Sequence, residues 1–372
     1  MQWSPQQDDA LKKASRWLSN RDSQVFRLFG YAGTGKTTLA QHLADGVDGE
    51  VKFAAFTGKA AHVMRTKGCT GAQTIHSLIY RPAKADDEDG EDDGEQPMFT
   101  IRRDAPAGDA ALIIVDECSM VDEELGRDLL SFGAPVLVLG DPAQLPPVKG
   151  GGYFTDAEPD VMLTEVHRQA ADNPIVRLSM QIRDGELPDY GDHGEARVIR
   201  KADLDPDAVM AADQVLVGRN LTRKRYNERL RERQGYDGDT PWVGERLVCL
   251  RNNKQKGLLN GGMWTVAARH AKKRGMLRLD LVPEDGGGGG GRKARVSVLP
   301  EFFTGEAEGL PWPKRRRSDE FDYGYALTVH KAQGSQWDEV MLFDESFAFR
   351  EHRLAWLYTA VTRAAERLTV VR

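Results

Sequence analysis

The residues with the clearest chemical meaning are Gly30-Tyr31-Ala32-Gly33-Thr34-Gly35-Lys36-Thr37, which fit the pattern G-x-x-x-x-G-K-[ST] in full. Glycines at this spacing let backbone N–H groups curl around an anion, and a helix that starts at the lysine adds the positive end of its dipole. The lysine can reach β- and γ-phosphates, and the hydroxyl after it can ligate Mg2+. Gly30, Ala32, Gly33, Thr34, Gly35, Lys36, Thr37 and Thr38 are therefore the candidate residues for holding ATP. A glycine-rich turn with a chance lysine is the plain alternative, and the strand-then-helix context argues against it. The metal needs a carboxylate, and the run Leu112-Ile113-Ile114-Val115-Asp116-Glu117 ends in two. Asp116 suits the metal shell beside Thr37, while Glu117 suits orienting or deprotonating an attacking water. Alone, such a pair would read as a cap on the next helix. Asp141 and Gln144 follow another apolar run, and Gln144 can sense a γ-phosphate or hold the attacking water. Gln6 and Gln7 precede the stretch leading to the phosphate loop. A glutamine amide offers one donor and one acceptor to an adenine edge, and Gln7 is the candidate of the two.

Several elements must position these groups. Leu11, Ala14 and Leu18 predict an amphipathic helix over residues 5–20. VFRLFG (25–30), VKFAAFT (51–57), ALIIVDE (111–117) and APVLVLGD (134–141) read as strands separated by helical stretches. Continuous apolar strands that alternate with helices predict a parallel α/β sheet, with ligands at the carboxyl ends of its strands. The phosphate-loop residues, Asp116, Glu117, Asp141 and Gln144 lie at such ends. A second α/β region begins near Val161 and includes QVLVGRN (214–220), followed by a very basic helix with Arg223 to Arg233. Short β-type runs fill 241–300, six glycines stand at Gly286–Gly291, and α/β patterning returns from Tyr323 to Arg372.

The chain has 372 residues, too many for one ordinary core, and is 40% hydrophobic and 29% charged. No apolar run reaches the roughly 20 residues of a membrane helix, and the start lacks a signal-peptide pattern. Cys69, Cys118 and Cys249 have no metal-ligand spacing, so a reducing cytoplasm is the expected setting. The net charge of −6 seems to disfavour nucleic acid, but residues 86–95 alone carry eight carboxylates. Taking those eight from the 57 acidic residues leaves 49 against 51 basic ones, so local basic clusters can still hold phosphates.

The ordered series of motifs resembles superfamily 1B helicases, in their RecD-like and Dda-like branch. GYAGTGKTT (30–38) is similar to motif I, FAAFTGKAA (53–61) to motif Ia, and GAQTIHSLIY (71–80) to the next DNA-contact motif. IIVDECSM (113–120) resembles motif II, LVLGDPAQLPPV (137–148) motif III and LTEVHRQA (163–170) motif IV. YALTVHKAQGSQWDEV (325–340) and LYTAVTRAAERLTVV (357–371) resemble motifs V and VI. The resemblance implies an α/β fold of two RecA-like parallel-sheet P-loop domains, with a hairpin inserted in the first and a small SH3-like β module in the second. The expected bounds are 1–160 for the first domain, with 81–106 as the inserted wedge. Residues 161–240 and 320–372 would form the second domain, and 241–319 the β insertion. It further implies that Arg168 and Arg363 act on the γ-phosphate across the cleft and that Gly334 lies with the nucleotide. Thr57, Lys59, Thr74, His76, Thr328 and His330 match positions facing single-stranded DNA. The basic helix and Lys314–Arg317 would add attraction, although charge-rich helices and loops are most often simply solvated. The expected activity is an ssDNA-stimulated ATPase that translocates, 5′ to 3′ as the branch implies, and unwinds duplex at ss/ds junctions as a monomer. A DNA-binding ATPase subunit of a recombination or repair complex and an RNA translocase are the alternatives.

Overall fold

A computed structural model of the chain describes residues 3–82, 99–146, 152–165, 172–284 and 293–372. The N-terminal strands are β1 (Val25–Gly30), β2 (Val51–Ala55), β3 (Gln73–Thr74), β4 (Tyr80–Pro82), β5 (Phe99–Ile101), β6 (Leu112–Asp116), β7 (Val136–Gly140) and β8 (Val161–Leu163). Six of them form one sheet in the order β3-β2-β6-β7-β1-β8, and every pairing in it is parallel. β4 and β5 pair apart as an antiparallel ribbon with Tyr80 opposite Ile101. The acidic tract expected between them lies outside the described residues. β8 extends the first sheet along the free edge of β1, with Gly30 opposite Leu163.

The parallel sheet follows from the apolar runs. Successive side chains of a strand face opposite ways. Leu112 and Ile114 of β6 pack with Ala10, Ala14, Leu39 and Leu43 from the helices Pro5–Asn20 and Lys36–Asp45. Ile113 and Val115 pack on the other face with Ile75, Leu78, Leu125 and Leu129. All four β6 residues are fully buried, each worth about 1.5–3 kcal/mol against exposure. A strand buried on both faces cannot alternate apolar with polar, so LIIV is continuous.

The C-terminal part has β9 (Gly191–Asp192), β10 (Ala196–Ile199), β11 (Gln214–Val217), β12 (Arg246–Cys249), β13 (Met263–Lys273), β14 (Met276–Pro283) and β15 (Ala294–Val298). It continues with β16 (Phe321–Tyr323), β17 (Ala326–Thr328), β18 (Trp337–Phe343) and β19 (Ala364–Val371). A second sheet runs β17-β11-β18-β19-β10-β9, parallel except for β9 at its edge. The expected α/β class is therefore borne out. Between the neighbours β11 and β17 the chain builds a five-stranded antiparallel sheet, β15-β14-β13-β12-β16. β14 there alternates buried with half-buried residues along its length, the period of a sheet with one covered face. That covered face packs with the second parallel sheet: Leu247, Trp264 and Leu279 share a core with Val215 and Val217 of β11. Leu216 turns the other way, to Trp356, Leu357 and Ile182. All three cysteines are buried and unpaired. Among the described residues, no helix is long and apolar enough to cross a membrane.

Candidate active site and nucleic-acid cleft

The phosphate loop joins β1 to the helix Lys36–Asp45, at the carboxyl edge of the first sheet. Its turn requires left-handed backbone at Gly33 (φ 80°) and Gly35 (φ 82°), where a side chain would be strained. Gly30 is fixed by space instead: a Cβ there would lie 2.7 Å from both Leu163 Cβ and Thr34 Oγ1. Lys36 Nζ donates to the carbonyls of Gly30 (2.6 Å) and Tyr31 (3.0 Å). The Thr37 hydroxyl donates to Asp116 Oδ2 at 3.0 Å, which brings the two metal candidates together. The other oxygen of Asp116 accepts from the Glu117 N–H at 2.8 Å. Glu117 itself takes φ 55°, ψ 45°, uncommon for a residue with a side chain and concentrated at functional sites. Burial raises its pKa; Asp116 and Asp141 push the same way, and Arg363 and Lys36 oppose. Glu117 therefore feels the charge of four other candidate groups.

Gln7 caps its own helix with Ser4, accepting from the Ser4 N–H at 3.0 Å, and donates to the Thr34 carbonyl at 3.1 Å. It supports the loop from behind. Gln6 instead binds the segment after β8, through Thr164 and Glu165. Thr38 is exposed on the first turn after the loop. Gln144 is buried, and its Oε1 has no hydrogen-bond partner among the described residues. Arg363 is 6% exposed and donates to Thr359 O, Ser335 O and Thr362 Oγ1 at 3.0–3.2 Å. Arg168 lies outside the described residues.

Thr57, Lys59, His330 and Lys331 line a cleft of about 720 Å3, which is also walled by Asn260 and Arg315 from the antiparallel-sheet region. Thr74, His76 and Thr328 are not among its lining residues. Thr57, Thr74 and Thr328 share one local device. Each hydroxyl caps a helix, accepting from Ala60 N (3.1 Å), Ser77 N (3.1 Å) and Lys331 N (3.4 Å). Lys59 is buried, with its Nζ 4.9 Å from the Trp337 ring centre. His76 packs against Phe56 and Tyr80, and His330 against Phe349. Burial lowers the pKa of both histidines. Gly334 (φ 73°) lies against Ala60 and Thr57, which puts this nucleotide candidate among the nucleic-acid candidates.

Residues 2–201, more than half of the chain, match the family of the AAA domain. The chain belongs to that family. After this AAA domain, residues 323–371 match the UvrD-like helicase C-terminal domain. The chain is similar to the ATP-dependent RecD2 DNA helicase of Deinococcus radiodurans, 29% identical over 405 residues covering 96% of this chain and 49% of that protein. It is also similar to the RecBCD enzyme subunit RecD of Mycobacterium tuberculosis, 24% identical over 92% of this chain and 66% of that one. The chain thus spans about half the length of the first of these curated relatives. Among solved structures it resembles two coordinating Pif1 helicases at forked dsDNA, with a TM-score of 0.62 and 18% identity over 100% of this chain and 92% of that one. Bacteroides Pif1 bound to ssDNA gives 0.60 and 19% over the same shares. At such identities the likeness establishes the fold. The RecD-like resemblance read from the motifs is borne out.

Sequence reasoning missed three residues that join the AAA domain to the UvrD-like part. Tyr358 donates to Asp141 Oδ2 (2.7 Å) and accepts from Ala32 N (3.1 Å), Thr359 accepts from Leu145 N (2.8 Å), and Gln333 donates to Leu145 O (3.1 Å). Partners 188 to 326 positions apart leave no local signal. Part of each basic cluster is tied into ion pairs. Arg223 meets Asp322 and Arg231 meets Glu245, both at 2.6 Å, while Lys314 meets Glu301 at 2.6 Å and Arg315 meets Glu320 at 2.9 Å. Lys224 still faces the cleft.

Proposed function

We propose that the chain is an ATP-dependent DNA helicase that hydrolyses ATP between its two parallel sheets, steps along single-stranded DNA and opens duplex. The observation that carries this reading is that the helix ahead of Arg363 docks on the phosphate loop through Tyr358, with Glu117 of the first part feeling the Arg363 charge. The cleft lined by Thr57, Lys59 and His330 spans the same two parts. The relatives' names support it: a RecD2 DNA helicase, and a Bacteroides Pif1 helicase in complex with ADP-AlF3 and ssDNA, TM-score 0.60 at 18% identity.

The donor set fits Mg2+, since the Thr37 hydroxyl and an Asp116 carboxylate oxygen lie 3.0 Å apart and this ion takes hard oxygen ligands. When bound, Mg2+ neutralises charge on the phosphate oxygens. Lys36 exchanges the Gly30 and Tyr31 carbonyls for phosphate oxygens. Glu117, its pKa raised, accepts a proton from the attacking water, which Gln144 Oε1, unpartnered among the described residues, orients. Arg363 and Arg168 stabilise the charge that develops, and Gln7 exchanges its contacts to the Ser4 N–H and the Thr34 carbonyl for the adenine edge. In the cleft Thr57 and Lys59 meet phosphates without reading sequence, and Thr74 and Thr328, outside its lining, extend the same track. His76 and His330, kept neutral, add hydrogen bonds and ring contacts. Closure on ATP and reopening after hydrolysis move the strand, because the two states grip it with different free energies.

The finer features belong to the same proposal. The expected bounds shift at two edges: the ATPase domain runs past 160 to include β8, which pairs with β1, and the SH3-like module runs past 319 to include β16, which pairs with β12; 81–106 is the wedge, and the rest of 161–240 and 320–372 forms the second domain. Movement is 5′ to 3′, the protein works as a monomer in the cytoplasm, and ss/ds junctions are its substrate. A second reading, an ATPase subunit of a recombination complex, is favoured by the relative named as a RecBCD subunit. Duplexes carrying a 5′ or a 3′ single-stranded tail test the proposal, with ATP turnover followed in parallel. Unwinding of the 5′-tailed duplex and turnover that rises with single strands and vanishes in Lys36→Ala are expected. Turnover indifferent to every single strand refutes the motor; stimulated turnover without strand separation favours the subunit.

A further inference from the structure

Of the hydrogen bonds that tie the segment after β7 to the C-terminal part, the one from Tyr358 differs in kind. Its phenolic oxygen donates to Asp141 Oδ2 at 2.7 Å and accepts from the Ala32 N–H at 3.1 Å. One atom, carried on the helix Arg353–Val361, therefore reaches both the phosphate loop and the carboxylate at the end of β7. Tyr358 is 1% exposed, so no bulk water shares these contacts. Burial and the Asp141 charge raise its pKa, which keeps the proton on oxygen and available for donation. The side chain of Asp141, 2% exposed, otherwise accepts only from the Ala143 N–H at 3.1 Å among the hydrogen bonds of the described residues. The same helix is followed at once by Arg363, so a shift at Tyr358 is felt there too.

A phosphate oxygen binds the same two groups, a loop N–H and a hydroxyl donor. Beside Ala32 it competes with the phenolic oxygen for the N–H and with Asp141 for the hydroxyl proton. The phenol can turn its proton toward the phosphate, whereas anionic Asp141 is repelled by it. We propose that Tyr358 is a positioning residue that reports phosphate in the loop to the C-terminal part, by exchanging its hydroxyl between Asp141 and the nucleotide. The proposal rests on the ATP-binding reading above. The exchange loosens one of three ties on the Asp141–Leu145 segment while the Thr359 and Gln333 contacts to Leu145 persist. The segment then pivots about Leu145, and the nucleotide's different affinity for the two arrangements is the coupling.

A double-mutant cycle of Tyr358→Phe and Asp141→Ala on urea unfolding of the full chain tests it, with and without a saturating non-hydrolysable ATP analogue and Mg2+. Without nucleotide, the pair should show coupling on the order of tenfold in the unfolding constant, the size for a hydrogen bond to a charged acceptor. With the analogue that coupling should fall toward onefold. In Tyr358→Phe alone, which keeps the ring and its packing, the analogue should still bind within a few-fold of the parent. The ssDNA dissociation constant of this variant should no longer respond to the analogue. Coupling that is absent, or unchanged by bound analogue, overturns the proposal, and so does an ssDNA response intact in Tyr358→Phe. Calorimetry on the unmutated chain separates the two failures: no binding of the analogue refutes the ATP reading itself, while binding with unchanged coupling refutes only the role of Tyr358.

Discussion

Replacing Arg363 by alanine separates chemistry from architecture at the interface of the two sheets. The guanidinium makes three hydrogen bonds, to Thr359 O, Ser335 O and Thr362 Oγ1, all within its own part of the chain. Charge-assisted bonds of this kind contribute about 1.5–3 kcal/mol each. Water entering the vacated space satisfies the freed carbonyls, so the net cost is about 3 kcal/mol, large but within a stability of about 5–15 kcal/mol. The catalytic cost is of another size. A cation that meets transition-state charge on a transferring phosphoryl group is worth about 10³-fold or more in kcat, or at least ~4 kcal/mol. Arg363 also opposes the upward shift of the Glu117 pKa, so its loss leaves the base more protonated at neutral pH. ATP turnover at saturating single-stranded DNA should therefore fall by about 10³-fold, while ATP affinity changes by no more than about threefold. Turnover, fluorescent-nucleotide binding and thermal melting measured on the same preparation decide it. Equal losses of affinity and turnover, or a loss of turnover below about tenfold in a protein that melts normally, refute the assignment.

Glu117→Gln should remove hydrolysis by about 10²–10⁴-fold and stabilise the fold at neutral pH. A carboxyl whose pKa is raised by folding holds its proton more tightly in the native state, so its contribution is full below the ordinary carboxylate pKa and is lost as pH rises through the native value. The melting-temperature gain of the variant should thus be present near pH 7 and disappear in acid; a gain that grows in acid contradicts the shift. Gly30→Ala places a methyl 2.7 Å from Leu163 Cβ and Thr34 Oγ1, where carbon atoms ordinarily sit 3.5–4.0 Å apart. The loop must move by roughly 1 Å, which should cost about 10²-fold in kcat/KM and 1–3 kcal/mol of stability. Parental kcat/KM in that variant would show that the β1–β8 contact does not set the loop.

The phosphate loop and the Asp116-Glu117 strand end were legible because their signals are local. Glycines at left-handed positions, an apolar strand and a helix start sit within a few residues of one another. The parallel sheet was legible for a related reason: LIIV is buried on both faces and so carries no alternation. The antiparallel module was readable from runs such as MLRLDLV, whose alternation survives in β14. The basic clusters misled, because Arg223 and Arg231 find their carboxylates 99 and 14 positions away, and a count of charges does not see pairing. The three capping threonines carried two meanings at once. A Thr that precedes a helix is a capping signal in any protein, and of the three only Thr57 lies in the cleft lining. Tyr358 had no local signature: its partners at Ala32 and Asp141 are assembled by tertiary structure alone.

β19 has a consequence for the order in which the molecule is made. It lies inside the second sheet, where it alone joins the block β17-β11-β18 to the pair β10-β9. During synthesis the N-terminal sheet, complete by residue 163, can fold and present its phosphate loop long before residues 364–371 emerge. The second sheet remains two unjoined fragments until then. The helix bearing Tyr358 and the arginine that follows it are carried by the same late stretch, docking as that seam closes. A partly made chain can therefore possess its phosphate loop before Tyr358 and Arg363 are in place, and closing the seam at β19 is the step that brings the two halves of the proposed site together.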